Sequence, residues 1–221
     1  MMISDPLMKI FVAPIDNILH NLPWSDWIEK LGHSAWERLA LRGMYAVTEY
    51  ESTLELLDVN GREAIFQKRQ QVRYLQDHII AYQDQAWGDG RILQNYRCVP
   101  GYPVDRYQLG HKTLILISLR EVKQRGDVDE FNIQWGIQNG FRKSQESWET
   151  EINHRTKHLR MQVIFPKDRP PLRRVCIEAS SQIVHPISGE FQQRLPDGRS
   201  QMIFEIDRPR LNERYILKWD W

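Results

Sequence analysis

The side chains with the clearest binding chemistry are the cations of one short segment. Residues 155–174 contain seven Lys or Arg residues and a single Asp. Guanidinium groups form planar, bidentate contacts with carboxylates and phosphates, so the segment predicts a surface that binds an acidic partner. The cations assigned to this surface are Arg155, Lys157, Arg160, Arg169, Arg173 and Arg174.

Aromatic residues near a glycine-rich turn form a second candidate binding region. Trp87 precedes Gly88-Asp89-Gly90, and Tyr102 lies in residues 99–113, whose two prolines and two glycines predict a long loop. Because aromatic side chains often anchor interfaces, Trp87 and Tyr102 are predicted to extend the partner-binding surface. The alternative interpretation places Trp87 beneath the loop as a structural plug.

Motifs of the familiar catalytic classes do not occur in the sequence. It contains no GxGxxG or GxxxxGK[ST] phosphate-binding motif and no GxSxG nucleophile elbow. His154 and His158 are four residues apart, but a predicted turn separates them, and neither Cys98 nor Cys176 belongs to a CxxC pair. The sequence therefore predicts no metal and no cofactor, selects no catalytic residue, and leaves open whether the protein is an enzyme.

The composition is that of a globular protein. Of 221 residues, 41% are hydrophobic and 27% are charged, which excludes the low-hydrophobicity, high-charge regime of disordered chains. The longest apolar runs are much shorter than the roughly 20 residues that a membrane-spanning helix needs, so no membrane association is expected. Two cysteines cannot form a disulfide framework, which predicts a reducing, cytoplasmic setting.

The net charge of +1 hides an asymmetry along the chain. Residues 1–66 carry five Lys or Arg against ten Asp or Glu, whereas the remaining residues carry 25 against 19. Either an acidic N-terminal segment docks on a mildly basic body, or the basic side serves an external partner. The first alternative would pair the cations of residues 155–174 within the molecule.

The first 44 residues follow helical spacing. Ser4-Asp5-Pro6 is a plausible helix start, and Ser34 with Glu37 has the spacing of a capping box. We therefore predict a short helical N-terminal segment, residues 1–44, docked on a β domain, residues 45–221.

From residue 45 onward the apolar period changes to two, which is the signature of strands. Asn60-Gly61 predicts a tight hairpin turn, and Gly88-Asp89-Gly90 predicts a second hairpin. Strict alternation is found in residues 131–138 and again in residues 215–221, at the C-terminus. Roughly nine or ten strands follow. The predicted fold is mainly β: an antiparallel β-sandwich, immunoglobulin-like or a partly closed barrel.

These observations favour a non-catalytic interaction module that binds another protein through an arginine-rich sheet edge and long loops. One alternative is a nucleic-acid-associated protein that uses the basic residues 155–174. The other is a small-ligand binder or an enzyme with a site near the loops of residues 87–107. The oligomeric state is not specified by the sequence.

Overall fold

Thirteen strands and no helix are found in the part of the chain that the structure describes. This computed structural model describes residues 43–187 and 194–221. In chain order the strands are β1 (Tyr45–Leu56), β2 (Glu63–Tyr74), β3 (Ile79–Ala86), β4 (Arg91–Val99), β5 (Tyr102–Leu109), β6 (Lys112–Lys123), β7 (Val128–Gln138), β8 (Gln145–Glu151), β9 (Thr156–Phe165), β10 (Arg173–Glu178), β11 (Val184–Pro186), β12 (Ser200–Asp207) and β13 (Arg214–Asp220).

The strands form three sheets. Sheet A has six strands in the order β12-β9-β1-β2-β7-β4, sheet B has the order β3-β6-β5, and sheet C has the order β11-β10-β13-β8. None of these sheets closes on itself within the described residues. The prediction of a mainly β protein is confirmed.

Strand pairing is antiparallel with one exception. The neighbours β1 and β9 run parallel, whereas every other strand pair of the described residues is antiparallel. The expectation of a purely antiparallel sheet is therefore wrong at this position. Its physical reason is connectivity: β9 reaches the free edge of β1 after the chain has passed through sheets B and C, and not through a hairpin.

The first predicted hairpin is confirmed, and its turn is held by one carboxylate. Strands β1 and β2 pair antiparallel. The Asp58 side chain accepts hydrogen bonds from the backbone N–H groups of Asn60 at 2.7 Å and of Arg62 at 2.9 Å. Gly61 has a φ of 64°, and a Cβ atom there would lie 1.6 Å from the carbonyl oxygen of Phe141. Only glycine fits this turn.

The second predicted hairpin is wrong, because β3 and β4 belong to different sheets. Strand β3 pairs with β6 in sheet B, and β4 pairs with β7 in sheet A. The Gly88-Asp89-Gly90 segment carries the chain from one sheet to the other. Gly90 has a φ of 76°, and a Cβ atom there would lie 2.2 Å from the carbonyl oxygen of Gln138. The glycines thus permit a crossing that local sequence cannot distinguish from a hairpin tip.

The long loop predicted for residues 99–113 is also wrong. Most of it forms β5 and pairs with β6 along the edge of sheet B. Pro103 cannot donate a backbone hydrogen bond, but an edge strand tolerates proline because one of its sides has no neighbour.

Sheets B and C both pack against one face of sheet A. The Tyr82 ring of β3 stacks on Phe131 of β7 with centroids 4.0 Å apart, and Phe165 of β9 meets Trp219 of β13 edge-on at 5.6 Å. The C-terminal strand β13 lies between β10 and β8. The alternating residues 215–221 of the sequence thus form an inner strand, apart from Trp221, which follows it.

The predicted helical segment, residues 1–44, lies outside the described residues except for Gly43 and Met44, and so does its docking on the body. Within residues 43–187 and 194–221, the structure contains no helix of the length and hydrophobicity that would cross a membrane.

Candidate ligand-binding site

A cavity of about 160 Å³ lies where sheet A meets the other two sheets. Its lining includes residues from all three sheets, and the outermost strands β3 of sheet B and β8 of sheet C both contribute. Much of the wall is aromatic. The aromatic and imidazole side chains that line it are Tyr45, Tyr50, Phe66, Tyr82, Trp87, Trp135, Trp148 and His154.

A buried ion pair forms part of the inner wall. The Lys68 ammonium of β2 donates a hydrogen bond to the Asp84 carboxylate of β3, and these side chains are only 5% and 0% exposed. Tyr96 of β4 donates a second hydrogen bond to Asp84 at 2.8 Å. Burial is the largest single influence and disfavours the charged form of Lys68. The charge and the hydrogen bond of Asp84, with contributions from Tyr50 and Cys98, together outweigh burial, so the pKa of Lys68 is raised. Lys68 is therefore a cation at neutral pH.

Two tyrosines of the inner wall are neutral hydrogen-bonding groups. Tyr82 donates from its hydroxyl to the side-chain oxygen of Gln70 at 2.5 Å. Tyr45 stacks on the His154 ring with centroids 4.1 Å apart. Burial, with a smaller contribution from negative neighbours, raises the pKa values of Tyr45 and Tyr82. Both phenols remain protonated and can donate hydrogen bonds.

Phe66 and two tryptophans form an aromatic surface of mutually tilted rings in the same cavity. The Phe66 ring lies 4.1 Å from Trp135 and 4.6 Å from Trp148, measured between centroids. Phe66 and Lys68 are both inward-facing residues of β2, since side chains two apart on a strand share a face. One face of β2 thus contributes a ring to the aromatic surface and the cation of the ion pair.

Side chains alone close the partly exposed mouth of the cavity. No strand pairing joins β3 to β8 among the described residues. Instead, Trp87 donates its indole N–H to Glu149, and Lys112 pairs with Glu151. The Lys112 ammonium also lies 4.9 Å from the centroid of the Trp87 ring. This mouth can therefore open by side-chain movement, without breaking backbone hydrogen bonds of a sheet.

The predicted basic surface is distributed over two sheets. Arg155 directly precedes β9, and Lys157 and Arg160 lie on it. Arg173 and Arg174 lie on β10. Strand β9 lies between β12 and β1, and β10 lies between β11 and β13. These arginines consequently lie on inner strands and in a loop. The topology does not place them on a sheet edge, where they were expected.

Two of the predicted cations have structural contacts inside the molecule. Arg160 pairs with Glu205 at 3.0 Å. The Arg169 guanidinium lies 3.7 Å from the centroid of the Trp221 ring and donates to the carbonyl oxygen of Val59 at 2.6 Å. Arg169 therefore ties the loop before β10 to the C-terminus and to the β1–β2 turn.

The other predicted cations differ in exposure. Arg155, Lys157 and Arg173 are exposed, and Arg174 is half-buried. Arg173 lies 3.9 Å from Asp220, the outer limit of an ion pair. These three exposed side chains are the part of the predicted surface that an external partner could reach.

The two predicted aromatic residues lie in different surroundings. Trp87 is half-buried at the mouth of the cavity. Tyr102 is exposed on β5, where the Arg120 guanidinium lies 4.4 Å from its ring centroid, and it does not line the cavity. Only Trp87 therefore belongs to the candidate site.

The cysteines do not form a nucleophilic centre. Cys98 and Cys176 are both buried free thiols, and burial, aided by a nearby carboxylate, raises the pKa of each to about 12. The thiolate that would attack a substrate is thus scarce at neutral pH. His111, the histidine nearest to Cys98 in the sequence, is exposed and lies outside the buried surroundings of that thiol. No group of three potential metal ligands is found in the described parts of the chain.

No protein-family model matches the chain, and no curated protein matches it significantly in sequence.

Sequence reasoning identified Trp87 but missed Lys68, Asp84, Lys112 and Glu149. One signal was available for Lys68. On β2 the inward positions are Ala64, Phe66, Lys68, Gln70, Val72 and Tyr74, so a lysine and a glutamine interrupt an otherwise apolar series. A lysine at a buried position needs a buried partner, but nothing local identifies Asp84 as that partner.

Proposed function

We propose that this protein binds a small ligand containing one aromatic ring in the cavity between its sheets. The observation that carries the proposal is the convergence of aromatic side chains and a buried Lys68–Asp84 pair on one cavity with a side-chain-closed mouth. Its volume of about 160 Å³ is close to that of an engineered apolar cavity, about 150 Å³, that binds benzene.

Folding alone does not explain the polar inner wall. Replacing a buried ion pair with apolar side chains of similar size is often neutral or even stabilising. Folding stability therefore does not account for the charges of Lys68 and Asp84, whereas a ligand that contacts their neighbours would. Pockets of this kind typically combine aromatic walls with a few placed polar groups.

Intrinsic tryptophan fluorescence tests the proposal directly, because Trp87, Trp135 and Trp148 line the cavity. Titration with benzyl alcohol or phenol should produce a saturable change in emission. Trp87→Ala should weaken binding at least several-fold, since it removes one wall of the mouth. Tyr102→Ala is the matched control because this aromatic residue lies outside the cavity, and it should leave affinity unchanged. Absence of saturable binding by either compound would contradict the proposal.

A protein partner at the exposed part of the basic surface is the second candidate function. Leu172 is 75% exposed, which is an unusual position for a leucine, and it directly precedes the exposed Arg173. An apolar side chain beside a guanidinium suits an acidic protein surface better than bare phosphate. A double variant, Leu172→Ser with Arg173→Ala, should weaken capture of such a partner. A steep loss of binding with rising salt, abolished by nuclease, would instead indicate nucleic acid.

Two further proposals concern the whole molecule. We describe the architecture as a β-sandwich, because sheets B and C cover one face of sheet A. We also propose a cytoplasmic location, which the free thiols of Cys98 and Cys176 support.

A further inference from the structure

The charges around the cavity are unbalanced at its mouth. Lys68 and Asp84 neutralise each other on the inner wall. The charged residues that remain in the lining are Lys112, Glu149 and Glu151. Since Lys112 pairs with Glu151, the charge of Glu149 has no equally close counterpart in the lining.

Glu149 is held in place mainly by a neutral donor. One of its oxygens accepts the indole N–H of Trp87. The other oxygen lies 3.5 Å from the Arg214 guanidinium, which is the nearest cation recorded for Glu149 in the described residues. That distance is at the limit of a hydrogen bond, and the Arg214 side chain is half exposed to water. A positively charged group of a ligand would therefore gain a stronger interaction with Glu149 than Arg214 makes.

The cavity already holds ammonium groups against aromatic faces. Lys112 lies over the Trp87 ring at 4.9 Å, and Lys68 lies over the Tyr50 ring at 5.9 Å. Cations are attracted to the faces of such rings, and the attraction grows when the cation is desolvated. The lining is thus suited to the same chemistry in a ligand: a positive charge next to a ring and a carboxylate.

A negatively charged ligand would meet the opposite conditions. It would add charge to a lining that contains the carboxylates of Asp84, Glu149 and Glu151. The ammonium of Lys68 is already occupied by Asp84, and that of Lys112 by Glu151. An uncharged ligand would avoid repulsion but would leave Glu149 with no cation closer than Arg214 at 3.5 Å.

We propose that the cavity selects an amine: a primary ammonium group carried by a single aromatic ring, with the ring against the aromatic wall and the ammonium at Glu149. This inference rests on the proposed function, because it specifies the class of ligand for the same cavity. Glu149 is its specificity-determining residue.

Three probes of nearly equal size test the inference by calorimetric titration of the full chain at pH 7. They are phenethylamine, 2-phenylethanol and phenylacetate, which are cationic, neutral and anionic. Phenethylamine should bind about tenfold more tightly than 2-phenylethanol, the effect of a hydrogen bond to a charged group, and phenylacetate should bind most weakly. Raising the salt concentration should weaken binding of the amine and leave the alcohol unchanged.

The Glu149→Gln variant isolates the charge, because its side-chain oxygen can still accept the Trp87 hydrogen bond. It should reduce amine affinity to that of the alcohol without changing alcohol affinity. Glu205→Gln is the matched control, since Glu205 pairs with Arg160 away from the cavity, and it should bind all three probes as the wild type does.

The possible outcomes separate this inference from the proposed function. If the amine and the alcohol bind wild-type protein equally well, or if phenylacetate binds most tightly, the amine inference is overturned while ring binding stands. If none of the three probes binds, the proposed function fails and the inference fails with it. The wild-type comparison decides these cases even if the Glu149→Gln protein does not fold.

Discussion

Sheet A packs against two different interiors, one at each end of the same face. Against sheet C the contacts are apolar: Phe165 meets Trp219, and Met202, Cys176 and Leu217 are fully buried. Against sheet B the same face presents Lys68 and Gln70, and a cavity opens beside them. The end at sheet C is packed mainly with apolar side chains, whereas the end at sheet B leaves space and buries the Lys68–Asp84 ion pair.

This difference shows that strands with the same alternation of buried and exposed residues can build either a stable core or a binding cavity. Inward positions on β9 are apolar throughout, but those on β2 change from Phe66 to Lys68 and Gln70 and back to Val72. Apolar burial contributes roughly 25 cal/mol per Å², so the end at sheet C should dominate the free energy of unfolding. The cavity end should dominate ligand binding.

The largest expected effect is the loss of β13. Truncation after Asn212 removes the strand that lies between β10 and β8, together with the buried Trp219. We expect an insoluble protein, or a soluble one without cooperative unfolding, measured by near-UV circular dichroism during urea titration. Deletion of Trp221 alone is the control and should leave a folded protein, because β13 ends at Asp220. A cooperatively folded product of the longer truncation would show that sheet C is dispensable.

The buried pair at the other end should show strong coupling. Lys68→Met or Asp84→Leu each leaves one buried charge without its partner, which costs about 3–5 kcal/mol. The double variant removes both charges and should recover most of that loss. The measurement is the free energy of unfolding in urea for the four proteins. Additive losses would mean that Lys68 and Asp84 act independently.

Glu213 is a buried carboxylate at the sheet C end, and its ionisation makes the stability of the folded state depend on pH. Burial alone would raise the pKa of Glu213, but hydrogen bonds from Ser180 and from the Arg214 backbone outweigh it, so the pKa is lowered. A lowered pKa in the folded state stabilises the protein above the unfolded value of 4.5, and this stabilisation is lost as the pH falls through the folded-state value.

Glu213→Gln should therefore be less stable than the wild type at pH 7, by about 1–3 kcal/mol. The difference should narrow as the pH falls below 4.5 and through the lowered folded-state pKa of Glu213, because the wild-type carboxylate then becomes protonated. A series of urea unfolding curves from pH 7 downward measures this difference. A difference that stays constant over the series would contradict the assigned ionisation.

The smallest effects distinguish two arginines of the predicted basic surface. Arg169→Ala removes the contact with the Trp221 ring and the hydrogen bond to Val59, so it should cost about 1 kcal/mol of unfolding free energy. Arg173→Ala changes an exposed side chain and should cost less than about 0.5 kcal/mol. Equal losses for both variants would mean that the Arg169 contacts do not stabilise the C-terminal end.

Local patterns predicted the elements better than their partners. The β1–β2 hairpin follows from Asn60-Gly61 between alternating strands, and the pairing of β13 follows from alternation up to the C-terminus. The same rules failed at Gly88-Asp89-Gly90, where glycines allow either a hairpin or a crossing between sheets. They failed again at β5, because an edge strand accepts the proline that elsewhere predicts a loop.

The candidate site could be predicted only in fragments. Trp87 could be predicted as a binding residue because it is an aromatic residue that directly precedes a glycine-rich turn. Lys68 carried a readable signal, a charge at an inward position, but Asp84 is sixteen residues away on a strand of another sheet. Glu149 and Glu151 belong to no motif in the sequence, and only the placement of β8 brings them to the cavity.

The amino-acid sequence by itself determined that this protein is built of strands, which faces of most strands are buried, and where its tightest turns lie. These properties depend on period and on backbone conformation, which neighbouring residues control. Only the tertiary structure decided which strands pair, that β1 and β9 run parallel, and that β3 and β8 face each other without pairing. A period of two specifies a face but no partner, and the cavity exists because of that unpaired gap.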